Sequence, residues 1–119
     1  MLGLGYPILL LGLCCSISCS DDDPAAQGNP HISYLDATNH DLKYAAKSGG
    51  SWTLEIVDAT GVVGAHTSLV LDAQGNPHIS YWDGTNGDLK YAAKSGGSWT
   101  LETVDAPADV GLYTSLVLR

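Results

Sequence analysis

Short runs of alternating apolar and polar residues fill the chain from residue 31 to residue 119. They are rich in β-branched and aromatic residues and are bounded by Gly, Asn, Asp, Ser or Pro, which is typical of strands joined by turns. The pattern predicts strands at about 31–36, 41–47, 52–58 and 67–72, and again at about 78–83, 88–94, 99–105 and 114–119. No stretch has helical spacing over ten residues, so the sequence predicts an all-β fold.

The strands belong to a repeat with a period of 47 residues, since residues 27–59 recur with few changes as residues 74–106. Four short antiparallel strands in a repeat of this length are typical of a β-propeller blade. We expect one full blade at 67–105, with TSLVLD as its innermost strand, followed by HISYWD, DLKYAAK and the outermost WTLETVD. TSLVL is almost continuously apolar, as expected for a strand that is buried on both faces.

The two repeats predict an incomplete ring. Residues 31–58 form a partial blade without an innermost strand, and residues 114–119 supply a lone innermost strand. Two blades are too few for a ring of about four to eight. We therefore expect either other copies of the chain or further blades of a longer protein to close the ring, with the last strand completing the first blade. The ending SLVLR, where the earlier copy continues SLVLDAQG, favours a fragment.

The amino-acid composition excludes some classes of partner and site. The chain has 119 residues and a net charge of −8, with only five Lys and Arg residues to neutralise phosphates, so we expect no nucleic-acid partner. Its three cysteines, Cys14, Cys15 and Cys19, all precede the repeats. The repeats can therefore hold neither a disulfide framework nor a cysteine zinc site.

The apolar N-terminal run, MLGLGYPILLLGLCCSIS, is short for a transmembrane span and predicts a secretory signal. With Cys19 and the acidic stretch that follows it, this run resembles a bacterial lipoprotein leader, although no Lys or Arg precedes it. The resemblance implies lipidation of Cys19, with Cys15 as the second choice. We expect a leader at 1–19, a polar tether at 20–30 and the repeats at 31–119. The alternative is an uncleaved hydrophobic tail.

The repeat, PHISYxD…DLKYA…GGSWTxExVD, resembles a group of exported bacterial propeller repeats, and the resemblance covers residues 27–119. The segment AAKSGGSWTLE also resembles a degenerate Asp-box of sialidase-type propellers, without its defining Asp. A looser likeness is to small fucose-binding lectins, in which two-blade chains trimerise. Ser33 and Ser80 stand where those lectins carry a sugar-binding Arg, so the likeness implies no sugar chemistry here.

Four side chains are candidates for ligand binding. His31 and His78 begin equivalent strands and could line a central channel, but packing by a hydrogen bond to a neighbouring strand is the favoured interpretation. Trp82 and Tyr113 are the better candidates, because Leu35 and His66 replace them in the other copy. The duplicated Trp52/Trp99 and Tyr44/Tyr91 are expected to pack between blades.

Oxygen-bearing side chains recur on one loop of each repeat, and hard cations such as Ca²⁺ prefer oxygen ligands. Asp and Asn are also common turn formers, so turn stabilisation is the favoured interpretation and Ca²⁺ binding the weaker one. The residues concerned are Asp36, Asn39, Asp41, Asp83, Asn86 and Asp88.

Arg119 is the only arginine, whereas sialidases need an arginine cluster, and Glu55 and Glu102 are expected to face solvent. We therefore expect no enzymatic activity and no cofactor apart from the weak Ca²⁺ hypothesis. The leading interpretation is an exported propeller-repeat module that binds a ligand or partner at a bacterial cell envelope, lipid-anchored or secreted. The alternatives are a sugar-binding lectin assembled from two-blade chains and a fragment of a larger propeller protein, such as a glycoside hydrolase.

Overall fold

The computed structural model describes residues 28–119. The predicted leader, the lipidation site at Cys19 and most of the tether lie outside the described residues. Residues 28–119 form strands and turns, and they contain no helix that is long and apolar enough to cross a membrane.

Seven strands form two antiparallel sheets, which confirms the all-β prediction. The strands are β1 (His31–Asp36), β2 (Asp41–Ser48), β3 (Ser51–Asp58), β4 (Val63–Leu71), β5 (Pro77–Asp83), β6 (Asp88–Ser95) and β7 (Ser98–Asp105). The first sheet has the order β1-β2-β3 and the second the order β4-β5-β6-β7. Within each sheet consecutive strands are therefore neighbours, and equivalent strands have the same register in the two sheets.

Strand β4 begins at Val63, four residues before the predicted start at Thr67. The pairing of β4 with β5 is irregular between Val63 and Ser68. Two residues of this stretch, Gly64 and His66, have positive φ angles of 101° and 54°. A bulged strand loses the strict alternation of its side chains, which is why the pattern of residues did not reveal these first positions.

The strand predicted at 114–119 is absent from the described structure, which corrects the prediction. This segment lies beside β4, where the Thr114 hydroxyl donates to the backbone oxygen of His66 (3.3 Å) and the Leu116 N–H donates to the Ser68 hydroxyl (3.0 Å). A strand requires a ladder of backbone hydrogen bonds, and the bonds to Thr114 and Ser68 use side chains instead. Nor does the segment complete the first sheet, where β1 remains at the edge.

The hydrophobic core lies between the two sheets. Leu42 and Tyr44 of β2 and Val57 of β3 pack against Val63, Ile79 and Tyr81, and Ala92 completes the buried cluster. Trp99 of β7 and Leu69 of β4 pack at the margin of this cluster. The two sheets are thus held together by a continuous apolar layer rather than by the connecting turn alone.

Gly64 sets the closeness of the two sheets. A Cβ atom at Gly64 would lie 2.7 Å from the Cα atom of Leu42, and its φ of 101° is strained for any other residue. Gly111 repeats this arrangement against Leu89 at 2.8 Å, with a φ of 103°. The chain after β7 therefore packs on the second sheet as the chain after β3 packs on the first.

Candidate functional site

A buried polar cluster joins the two sheets. The Asp58 Oδ2 atom, at the end of β3, accepts hydrogen bonds from the Tyr81 hydroxyl (2.7 Å) and from the Lys90 Nζ atom (3.0 Å). Burial opposes ionisation of Asp58, but the bonds from the Thr60 N–H, Tyr81 and Lys90 outweigh it and lower the pKa of the carboxyl. Burial, together with the Asp58 charge, raises the pKa of Tyr81. The cluster therefore holds a carboxylate, a neutral phenol and an ammonium in fixed positions.

A second polar contact between the sheets lies further from β4. Glu55 of β3 accepts hydrogen bonds from the Lys94 Nζ atom (2.6 Å) and the Trp99 indole N–H (2.8 Å). Partial burial raises the pKa of Glu55, but the bonds from Lys94 and Trp99 outweigh this effect, so the pKa is lowered. The Trp99 ring also meets the Tyr44 ring edge-on, with their centroids 5.4 Å apart.

The expectation that Glu55 faces solvent is therefore wrong, because the second sheet supplies both of its partners. The expected packing role of Tyr44 and Trp99 is confirmed by their contact between the sheets. Trp52, the counterpart of Trp99, is instead 46% exposed.

The two predicted histidines are bound to their neighbouring strands. A hydrogen bond of 2.6 Å joins His31 Nδ1 to the Tyr44 hydroxyl, and an identical bond joins His78 Nδ1 to the Tyr91 hydroxyl. These are the bonds expected for packing histidines. Burial lowers the pKa of His31, and its Nε2 atom is buried without a partner among the described residues.

Asp72 distinguishes the second histidine from the first. Its carboxylate lies 3.2 Å from the Nε2 atom of His78, whereas Ala25 occupies the equivalent sequence position in the first repeat. The backbone N–H of Asn76 makes the strongest contribution to lowering the pKa of Asp72, which falls to about 2. Asp72, missed by the sequence analysis, differs between the repeats, and that difference was the available signal.

A groove of about 520 Å³ opens beside His78, at the turn between β4 and β5. It is lined by Leu71, Asp72, Ala73, Gln74, His78, Leu118 and Arg119. The groove combines a carboxylate, an imidazole and a guanidinium with two leucine side chains. Such a lining can bind a small polar ligand, and His78 is the only predicted site residue in it.

Trp82 and Tyr113 lie at the other end of β4 and β5, on either side of His66. The ring centroids of His66 and Tyr113 are 4.2 Å apart, and those of His66 and Trp82 are 6.2 Å apart. The Trp82 indole N–H donates to Asp109 (3.2 Å), and the Tyr113 side chain is 80% exposed. We call Trp82, His66 and Tyr113 the aromatic cluster.

Sequence reasoning found two members of the aromatic cluster, Trp82 and Tyr113, and named His66 only as the residue that replaces Tyr113 in the other copy. Both residues have positive φ angles, 54° for His66 and 57° for Tyr113. A positive φ angle is uncommon for residues other than Gly, so this conformation could not be predicted from a His or a Tyr in the sequence.

The oxygen-bearing loops are tight turns in both repeats. Asp83 Oδ1 accepts the backbone N–H bonds of Thr85 and Asn86, and Asp83 Oδ2 accepts the Asn86 side-chain amide. Asp36 binds Thr38 and Asn39 in the same way. The carboxylates of Asp36 and Asp83 are thus hydrogen-bonded within their own turns. Residues 28–119 contain no group of three or more His, Cys, Asp or Glu side chains arranged to hold a metal ion. Ca²⁺ binding stays a prediction.

Comparison of the chain with protein-family models, with curated proteins and with solved structures finds no match.

Proposed function

We propose that the chain is an exported β-propeller repeat module, anchored to a bacterial cell envelope through Cys19, that binds a ligand or partner without transforming it. The observation that carries the proposal is the aromatic cluster on the paired sheets, in which Trp82 and His66 are partly buried and Tyr113 is exposed. Trp82 and Tyr113 are replaced by Leu35 and His66 in the other repeat, so the scaffold itself requires neither a Trp nor a Tyr at these positions.

The blade interpretation is supported by the way in which the two sheets stack. The second sheet has the strand order expected of a blade, and its β4 contacts β1 of the first sheet through Thr67, whose hydroxyl receives a 2.8 Å bond from the Ser33 hydroxyl. Thr114 makes the equivalent 2.7 Å contact with Ser80. The same contact thus recurs one period later, as stacking around a common axis requires.

The aromatic cluster fits a ligand with a flat apolar face, such as a sugar ring. Aromatic side chains offer such a face together with polar edges, and Tyr113 presents most of its ring to solvent. Asp109, held by the Trp82 indole, adds a carboxylate at the rim that can accept a hydroxyl hydrogen bond. This chemistry favours the lectin among the alternative functions.

Binding rather than catalysis is supported by the partners of four acidic groups. Asp58 and Glu55 are committed to contacts between the sheets, and Asp83 and Asp36 to their own turns. An acid or base in hydrolysis must reach the substrate, and these four carboxylates are engaged elsewhere.

A glycan array probed with the full chain tests the proposal. We expect Tyr113→Ala and Trp82→Ala each to weaken binding by roughly tenfold or more, because a stacked aromatic ring carries much of the contact energy. Leu112→Ala is the matched control, since Leu112 is an exposed apolar neighbour outside the cluster. A blank array removes the sugar ligand, and unchanged binding by both aromatic variants removes the cluster as the site.

A further inference from the structure

Within residues 28–119, the two sheets have equivalent faces whose outer parts are covered in one sheet and exposed in the other. The forward face of the first sheet, which carries Tyr44, Glu55 and Asp58, is covered by the second sheet. On the second sheet the equivalent residues are Tyr91, Glu102 and Asp105, and Glu102 and Asp105 are exposed. Val57 is 7% exposed on the covered face, whereas its counterpart Val104 is 58% exposed.

The backward faces show the reverse. On the second sheet, Ile79 and Tyr81 are fully buried against the first sheet. On the first sheet, their counterparts are Ile32, which is 46% exposed, and Tyr34, which is partly exposed. Trp52 and Lys47 also lie on this face, with the Lys47 Nζ atom 5.9 Å from the centre of the Trp52 ring. On the backward face of the second sheet, the Lys94 Nζ atom lies at the same distance, 5.9 Å, from the centre of the Trp99 ring.

The exposed parts of these two faces therefore carry complementary charges. Tyr91, Glu102 and Asp105 of the second sheet correspond to Tyr44, Glu55 and Asp58, which contact the second sheet within the chain. The residues that they contact there have counterparts on the backward face of the first sheet. We infer that the forward face of the second sheet binds the backward face of the first sheet of a second copy of this chain, head to tail. The inference rests on the blade packing proposed above.

The established contact between the sheets fixes the pairs in this interface. Glu102 takes the place of Glu55 and binds Lys47 and Trp52 of the second copy. Asp105 takes the place of Asp58 and binds Tyr34 and Lys43 of the second copy. Within the single chain the Lys43 Nζ atom lies 3.5 Å from Asp36 Oδ2. This distance is longer than the 3.0 Å between Nζ of its counterpart Lys90 and Asp58 Oδ2.

The same correspondence between the two repeats also gives residues 114–119 a partner strand in the second copy. In the second sheet, Ser68, Leu69 and Val70 of β4 pair with Ser80, Ile79 and His78 of β5. One period later, Ser115, Leu116 and Val117 pair with Ser33, Ile32 and His31 of the second copy. The edge of β1 that has no partner strand among residues 28–119 thus receives a fourth strand by β-strand addition, and the first sheet becomes a four-stranded sheet. A head-to-tail contact of this kind is heterologous, so repeated contacts close a ring or extend a filament.

Charge reversal in two separate chains tests the inference. Glu102→Lys places like charges at the interface of that variant with itself, and Lys47→Glu does the same for the other variant. A mixture of the two variants restores opposite charges at both ends of the contact. We measure association of the full chain in a non-ionic detergent by sedimentation velocity over a range of protein concentrations.

We expect the wild-type chain to associate, each variant alone to need a roughly tenfold or higher concentration to do so, and the equimolar mixture to associate at a lower concentration than either variant alone. Rescue by mixing excludes misfolding and association through the N-terminal residues, neither of which depends on pairing the two variants. A wild-type chain that stays monomeric, or variants that associate like the wild type, overturns the inference. If Asp58→Asn still destabilises such a monomer, blade packing stands and only self-association fails.

Discussion

The first and second sheets share nearly the same sequence and differ in which face is covered. Ile79 is fully buried between the sheets, whereas Ile32, in the same HISY segment, is 46% exposed. Asp58 binds Tyr81 and Lys90, whereas its counterpart Asp105 is exposed. Identical strands thus acquire different energetic roles from their position in the stack, because burial depends on the neighbouring sheet and not on the strand itself.

The largest expected effect is on stability, at the two isoleucines that occupy equivalent positions in the repeats. Ile79→Ala leaves a cavity in the core between the sheets and should lower the free energy of unfolding by about 3 kcal/mol. Ile32→Ala is the matched variant, and we expect a loss under about 1 kcal/mol in the monomeric chain because Ile32 is already half exposed. Urea unfolding followed by tryptophan fluorescence measures both. Equal losses at a concentration where the chain is monomeric would contradict the difference in burial.

The next test removes the charge of the buried carboxylate. Asp58→Asn leaves Lys90 partly buried without a counter-ion, and we expect a loss of about 2 to 3 kcal/mol, near the lower end for a broken buried ion pair. Asp105→Asn changes the same residue type at an exposed position and should alter stability by less than about 0.5 kcal/mol. The denaturation midpoints of the two variants decide the comparison, and a large effect of Asp105→Asn in the monomer would refute it.

Lowering the pH should weaken the contact between the sheets by a smaller amount than the two substitutions above. The pKa values of Asp58 and Glu55 are lowered in the folded chain from ordinary values of 3.8 and 4.5. The stability that the two carboxylates contribute is therefore complete above those ordinary values and is lost as the pH falls through the lower folded values. Unfolding midpoints measured from about pH 6 down to about pH 3 should fall, and the fall should be smaller in Asp58→Asn. An identical slope in the variant would remove Asp58 as a source of the pH dependence.

The apolar alternation, the turn residues and the 47-residue period were sufficient to predict the strand positions and the strand order of the second sheet. They succeeded because strands and turns depend on side-chain alternation and on local φ preferences, which a sequence displays directly. They failed at the bulged start of β4 and at residues 114–119, where the outcome depends on a partner backbone.

The candidate sites divide in the same way. Trp82, Tyr113 and the two histidines were found because they stand out against the repeat or recur within it. His66 was missed because only its left-handed backbone conformation brings it between Trp82 and Tyr113. Glu55 was misplaced because its partners Lys94 and Trp99 lie about forty residues away in the chain and meet it only when the sheets stack.

The period and the alternation are local properties of the residues, so the amino-acid sequence is enough to predict a repeat of short antiparallel strands. The tertiary structure alone decided which copy of each residue is buried. A Lys, a Glu or an Ile is the same in both repeats, but its solvation and its hydrogen-bond partners are set by the sheet that packs against it.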